Sequence, residues 1–300
     1  MTSPLVKTAS AIRIAVAVAA VIVGIVAEPA CAQPAKKSTG YATASDGVRI
    51  AYDVYDANGA TKPALVFVHG WSCDRSYWKN QVEPLAKKFR VVTVDLAGHG
   101  ESGVGRKDWT IESFGGDVDA VVNKLGLDHV ILIGHSMGGD VVAEAARQLP
   151  PKRVVGMIWL DTYKQLGKER SPEMVRARIA RFSGNFRDST RAFVHQLFLP
   201  TSNPALVEWV ANDMSSAPPD IALAVMYHSF SYNNVMPHTL EAMKLPLIAI
   251  NPDNSPTDTA SMTRYGAEVM IMPGVGHFVM MEDPRRLNQI LEHAIDRLSR

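Results

Sequence analysis

Cysteine is nearly absent: the 300 residues hold two, Cys31 and Cys73. Two cysteines cannot build a disulfide framework or a cysteine-rich metal site. Charge of one sign is lacking as well. Lys and Arg total 31 and Asp and Glu 30, a formal net charge of +1. That near-balance removes the electrostatic footprint of a nucleic-acid binder. There is no internal repeat and no low-complexity stretch. What is plentiful is apolar, 47% of residues against 20% charged, and a chain of that make-up is not disordered. Its length suits one large domain or two small ones.

The N-terminus has its own pattern. Lys7 and Arg13 precede Ile14–Ala27, an uncharged run rich in Ala, Val and Ile, and Ala30-Cys31-Ala32 comes after it. This basic, apolar, small-residue order predicts a secretory signal peptide over 1–32, with cleavage before Gln33. The run is shorter than the ~20 residues of a membrane-spanning helix. A retained anchor and a lipid on Cys31 are the alternatives, but Glu28 and Pro29 stand where a lipoprotein signal wants small or branched apolar residues. Cleavage would remove Lys7, Arg13, Glu28 and Cys31, leaving equal numbers of acidic and basic side chains and Cys73 alone. The expectation is an exported protein, periplasmic or secreted, with no disulfide within it and no membrane contact after cleavage.

Residues 33–40, with Pro, Lys and Ser, read as a linker. Val48–Tyr55 alternates like a half-exposed strand, and Asp56-Ala57-Asn58-Gly59 reads as a turn. Ala64–Val68, Val91–Val94, Val130–Ile133, Val154–Leu160, Leu247–Ile250 and Glu268–Met272 are short apolar runs of the kind buried in a parallel sheet. Helical patterns over Tyr77–Lys88 and Ile111–Leu125 separate them. Strands alternating with helices predict a doubly wound, mostly parallel α/β sheet. Between Asp161 and Leu245 no strand pattern occurs. Helices are expected there at Pro172–Phe182, Ser189–Phe198, Pro204–Met214 and Pro219–Tyr232. The organisation is a core over 41–160 and 246–300 with a helical cap over 161–245. A final helix, Asp283–Leu298, has Asp283 as its N-cap.

Gly134-His135-Ser136-Met137-Gly138 lies between the run Val130–Ile133 and a helical pattern. A G-x-S-x-G turn in that context holds a nucleophilic serine above a sheet edge, and its glycines let neighbouring backbone pass close by. A phosphate-binding loop would want Gly-Lys-Ser/Thr, which is missing.

Three further motifs accompany it in order. They are Phe67-Val68-His69-Gly70-Trp71, Asp95-Leu96-Ala97-Gly98-His99-Gly100-Glu101-Ser102, and Gly274-Val275-Gly276-His277-Phe278. With the elbow at Ser136, this set resembles the α/β-hydrolase fold, in its esterase-like form with a helical cap, over about residues 41–298. The resemblance implies Ser136 as nucleophile and His277 as general base. It implies an oxyanion hole of the Met137 and Trp71 amides. It gives His69 and His99 a role in shaping the site. It implies no metal, nucleotide or flavin. The serine sets the chain apart from the dehalogenase and epoxide-hydrolase branches, which the resemblance says use aspartate.

The acid departs from the pattern. The family position after the strand that follows the cap is occupied by Ser255. Three carboxylates could serve instead: Asp161, Asp253 and Asp258. Asp161 is favoured because it directly follows Val154–Leu160 and so emerges at the carboxyl edge of the sheet; Asp253 is the alternative acid. Asp95 and Asp140 read as structural. The expected reaction is hydrolysis of a carboxylic ester, or of a lactone, thioester or amide, through an acyl-enzyme. The partner is a small-molecule acyl substrate. Large apolar cap residues, joined by Met280 and Met281, predict a small-to-medium apolar acyl or aryl group. A non-hydrolytic member of the fold (a lyase or perhydrolase) and a catalytically weak ligand binder are the other readings.

Overall fold

The computed structural model describes residues 1–2, 35–56 and 61–300. Most of the predicted signal segment, with Cys31, and the turn residues 57–59 lie outside them. The chain divides into two units, Met1–Ala32 and Gln33–Arg300, and every strand and helix among the described residues belongs to the second. Among the described residues no helix is long and apolar enough to cross a membrane.

Eight strands form one sheet in the order β1-β2-β4-β3-β5-β6-β7-β8. They are β1 Lys36–Thr43, β2 Arg49–Asp56, β3 Thr61–Val68, β4 Phe89–Val94, β5 Val130–His135, β6 Val154–Leu160, β7 Leu247–Pro252 and β8 Ala267–Met272. β1–β2 and β2–β4 pair antiparallel, and every later pairing is parallel. All six positions of β5 and of β7 are buried, as expected where helices cover both faces. Each branched side chain so buried contributes roughly 1.5–3 kcal/mol. Strand ends outrun the apolar runs. Gly134 and His135 continue β5 because they pair with Trp159 and Leu160 of β6; hydropathy marks the buried centre of a strand, not the extent of its ladder.

The linker expected over 33–40 is corrected. Lys36–Thr43 is an edge strand, paired residue for residue with β2 from Lys36↔Asp56 to Thr43↔Arg49. Its side chains are mostly exposed, so it shows no apolar alternation, and its lysines are the kind that blunt a sheet edge.

Helix α1, Lys79–Ala86, follows a 3-10 turn at Arg75–Trp78. Pro84 lies within it and cannot donate to the Asn80 carbonyl one turn back. Asn288 Nδ2 donates to that oxygen instead, at 2.9 Å. Helix α2, Ile111–Lys124, is N-capped by Thr110 and buries Ile111, Phe114, Val118, Val121 and Val122. It packs beside α3, Met137–Gln148.

The insert between β6 and β7 comprises α4 Pro172–Ala180, α5 Phe186–Leu197, α6 Pro204–Met214, α7 Pro219–Tyr232 and α8 Met236–Met243. Two details differ from the sequence expectation. α5 starts three residues earlier than Ser189, because the Asn185 side chain caps it by accepting from Asp188 N–H. α8 is additional; Pro237 stands in its first turn, but it has no side-chain cap and ends at left-handed Lys244. Two short helices are additional as well, α9 Thr259–Arg264 and α10 Val279–Glu282. The last helix, α11 Pro284–Leu298, starts at its Asp283 cap and buries Leu287, Leu291, Ala294 and Ile295.

Candidate active site

Strand order reverses at β3, which has β4 on one side and β5 on the other. Ligands of open α/β sheets bind at the carboxyl edge near such a point. The turn after β3 carries Gly70 and Trp71, β5 leads into Ser136, β6 into Asp161, and β8 into the loop of His277.

Ser136 has φ 53° and ψ −121°, a left-handed conformation that costs a non-glycine residue of order 1–3 kcal/mol. The surrounding bonds enforce it. Ser136 N–H donates to the Leu160 carbonyl at 2.9 Å, and the Ser136 carbonyl accepts from Gly139 N–H at 2.9 Å. Both motif glycines are required by space. A Cβ at Gly134 would lie 2.2 Å from the Gly138 carbonyl oxygen, and one at Gly138 would lie 2.4 Å from that of Val68. Met137 opens α3, so its N–H has no intrahelical acceptor.

His277 is fixed at three points. Its ring Nδ1 is 2.7 Å from Asp161 Oδ2. Its N–H donates to the Leu197 carbonyl at the end of α5, at 2.8 Å. Its carbonyl accepts from His135 Nε2 at 3.0 Å. Asp161 also sits in a left-handed conformation, φ 46°, with its N–H donating to Ile250 at 3.0 Å. Lys164 Nζ lies 3.0 Å from Asp161 Oδ1 and donates to the Pro252 carbonyl at 2.6 Å. Burial alone would raise the Asp161 pKa; the hydrogen bond and charge of His277, with Lys164, hold it below the ordinary aspartate value.

The other candidate carboxylates have different partners. Asp253 accepts from Gly274 N–H at 2.8 Å, bracing the turn before the His277 loop. Asp258 caps α9 through Ser261 N–H at 3.0 Å. Ser255 is exposed. Asp95 binds Arg75 and the Glu101 N–H. Asp140 accepts from Tyr163 and Ser229 hydroxyls at 2.5 and 3.1 Å; burial pushes it up to about 7.

The remaining histidines near the site are buried and neutral. His69 accepts from Leu96 N–H at 3.1 Å and donates through Nδ1 to Gly70 at 2.8 Å. Burial lowers its pKa to about 4, and that of His99 to about 3. The pair ties the Trp71 turn to the Asp95–Ser102 loop. His135 is also lowered by burial, to about 3, so its Nε2–H steadies the His277 carbonyl without carrying charge.

Ser136, Met137, Asp161, His277 and Trp71 line one cavity of about 220 Å³, below the ~300–1,000 Å³ usual for drug-sized ligands. The cap contributes Arg178, Phe193, Leu197, Met214, Met226 and Phe230. Met280 and Met281, expected here, are buried on α10 and outside the lining. The Trp71 indole donates to the Ala222 carbonyl of α7 at 2.7 Å, and its ring meets Phe193 edge-on. Lys164, Leu197 and Arg178 carry no motif in the sequence. Of these only Lys164 has a local signal, its place one turn beyond Asp161.

The alpha/beta hydrolase family model matches residues 65–290. A thermophilic esterase from Thermogutta terrifontis superposes with a TM-score of 0.73 at 26% identity, covering 88% of this chain and 99% of that one. The dihydrolipoyllysine-residue acetyltransferase component of the acetoin cleaving system of Pseudomonas putida is 28% identical over 244 residues, 78% of this chain and 64% of that protein. The bifunctional esterase/perhydrolase of Acinetobacter calcoaceticus is 37% identical over 112 residues, 37% of this chain and 40% of that one. The chain therefore spans less than two thirds of the length of these curated relatives. A strained serine after β5, a histidine after β8 and a cap between β6 and β7 converge with the 65–290 match on one conclusion: the chain belongs to the alpha/beta hydrolase family.

Proposed function

We propose that the protein is a serine hydrolase that cleaves a carboxylic ester, or a related acyl bond, through an acyl-enzyme. The observation that carries this is the 2.7 Å bond between His277 and Asp161 in the cavity that Ser136 also lines. Asp161 keeps the proton of neutral His277 on Nδ1, which leaves Nε2 as the base. Ser136 Oγ adds to the carbonyl carbon while Nε2 takes its proton. The oxyanion forms against the Met137 and Trp71 amides; one such donor is worth about 2.7–4 kcal/mol. The imidazolium returns the proton to the departing alcohol. Water then attacks the acyl-enzyme by the same route, releasing the acid and free Ser136.

The cavity volume and its apolar cap wall support a small-to-medium acyl group. Transfer of the acyl group to hydrogen peroxide is the second reading, supported by the similarity to the Acinetobacter esterase/perhydrolase; peroxide would replace water and leave as peracid. A ligand binder without turnover is a further reading, favoured by Ser255 at the usual acid position; the Asp161–His277 bond supports the hydrolase over it. Export is proposed from the 1–32 pattern, and N-terminal sequencing that starts at Gln33 would support it. A fluorophosphonate probe tests the central reading. Ser136 should be labelled, Ser136→Ala should not, and the variant should lose nitrophenyl-ester turnover. No labelling of the parent protein refutes it.

A further inference from the structure

Several arginines of this protein are matched by acids. Arg75 meets Asp53, Asp95 and Glu101; Arg106 meets Asp46 and Asp117; Arg191 meets Glu208. Arg178 is different. It lies on α4 in the lining of the cavity that holds Ser136 and His277. Its guanidinium carbon stands 4.4 Å from the centroid of the Phe230 ring, another lining residue. Among the described residues it has no hydrogen bond and no ion pair. The carboxylate within the same lining, Asp161, is already engaged on both oxygens by His277 and Lys164. Arg178 also lines a second cavity of about 290 Å³, which it shares with Arg181 and Phe193. It therefore stands where the two cavities meet.

A guanidinium that rests over an aromatic ring and has no acidic partner keeps its N–H fork available, and that fork matches a carboxylate. Arg178 is exposed, but partial burial by the cap and the charges of Arg170 and Arg181 press its pKa below the usual arginine value. Repulsion between like charges is relieved when an anion arrives. We propose that Arg178 binds a carboxylate on the substrate, remote from the scissile bond, so that the protein prefers esters whose acyl chain ends in a carboxylate over neutral esters of equal length. This rests on the serine-hydrolase reading and sharpens its substrate class: an apolar chain against Phe193, Met226 and Phe230, ending in an anion at Arg178.

The test compares monoethyl adipate with ethyl hexanoate by proton release, in the parent protein, Arg178→Met and Arg178→Lys. The ratio of kcat/KM, anionic over neutral ester, should exceed one in the parent. It should fall about tenfold in Arg178→Met, as loss of a charge-assisted hydrogen bond at a partly exposed site implies, and recover in part in Arg178→Lys. If neither ester turns over, protection of Ser136 from fluorophosphonate by adipate against hexanoate gives a binding ratio read in the same way. An unchanged ratio in Arg178→Met, with Ser136 still labelled, overturns the role of Arg178 and leaves the hydrolase reading standing. Absence of labelling in the parent overturns both.

Discussion

Replacing Asp161 by Asn keeps the shape of the side chain and reverses the polarity of one contact. In the parent protein Asp161 accepts twice, from His277 Nδ1 at 2.7 Å and from Lys164 at 3.0 Å. Lys164 has only protons to offer. In Asp161→Asn the amide oxygen must therefore stay with Lys164, and the amide NH2 must face His277. Nδ1 then becomes the acceptor, the ring proton moves to Nε2, and the base is blocked at the atom that should take the Ser136 proton. A wrong tautomer of this kind costs on the order of 10⁴ in kcat, about 5 kcal/mol of barrier. Asp253→Asn differs because its oxygen can still accept from Gly274 N–H, so its rate should stay within about threefold of the parent. Both variants are assayed by nitrophenyl-ester turnover and by the rate of fluorophosphonate labelling. If Asp161→Asn keeps a tenth or more of parental kcat, the tautomer is not what Asp161 controls. A large loss in Asp253→Asn would move the acid to the other loop.

Asp140, pushed up to about 7 by burial, makes stability depend on pH. Between its ordinary 3.8 and about 7 the folded state keeps a proton that the unfolded chain releases, so stability falls as pH rises through that window and is level above it. Asp140→Asn removes the slope: its urea midpoint relative to the parent should climb from pH 4 to pH 7, and a pH-independent difference would sink the assignment. Gly138→Ala forces a Cβ to 2.4 Å from the Val68 carbonyl oxygen. A loss of roughly 1–3 kcal/mol in unfolding free energy is expected, together with displacement of Ser136, and wild-type stability with wild-type labelling would show that the elbow yields more readily than its geometry implies.

Legibility followed physical uniqueness. Gly134 and Gly138 can be read because only glycine fits 2.2–2.4 Å from backbone oxygens, and a chain built that way leaves a fixed spelling around Ser136. The parallel strands can be read because burial on both faces requires unbroken apolar runs. The carboxylate at His277 is reachable by a different route, since Asp161 directly follows β6 while Ser255 holds the usual place. β1 is hidden because its edge pairing uses backbone alone. α8 is hidden because it lacks a side-chain cap. Lys164, Leu197 and Arg178 are hidden for a third reason. Their meaning lies in what the folded cap brings beside them, and Leu197 acts through a carbonyl that any residue would supply.

That carbonyl makes the cap part of the frame that holds His277. His277 N–H is bound to Leu197, and Gly276 is a glycine where a Cβ would come 2.5 Å from the same oxygen. On the other side of the cleft, α7 holds the Trp71 indole through Ala222. A lid that swung away as a rigid body would release His277 and the Trp71 turn together. A transplanted cap, however well it suited a new substrate, would be silent unless it delivered two backbone oxygens to these same donors.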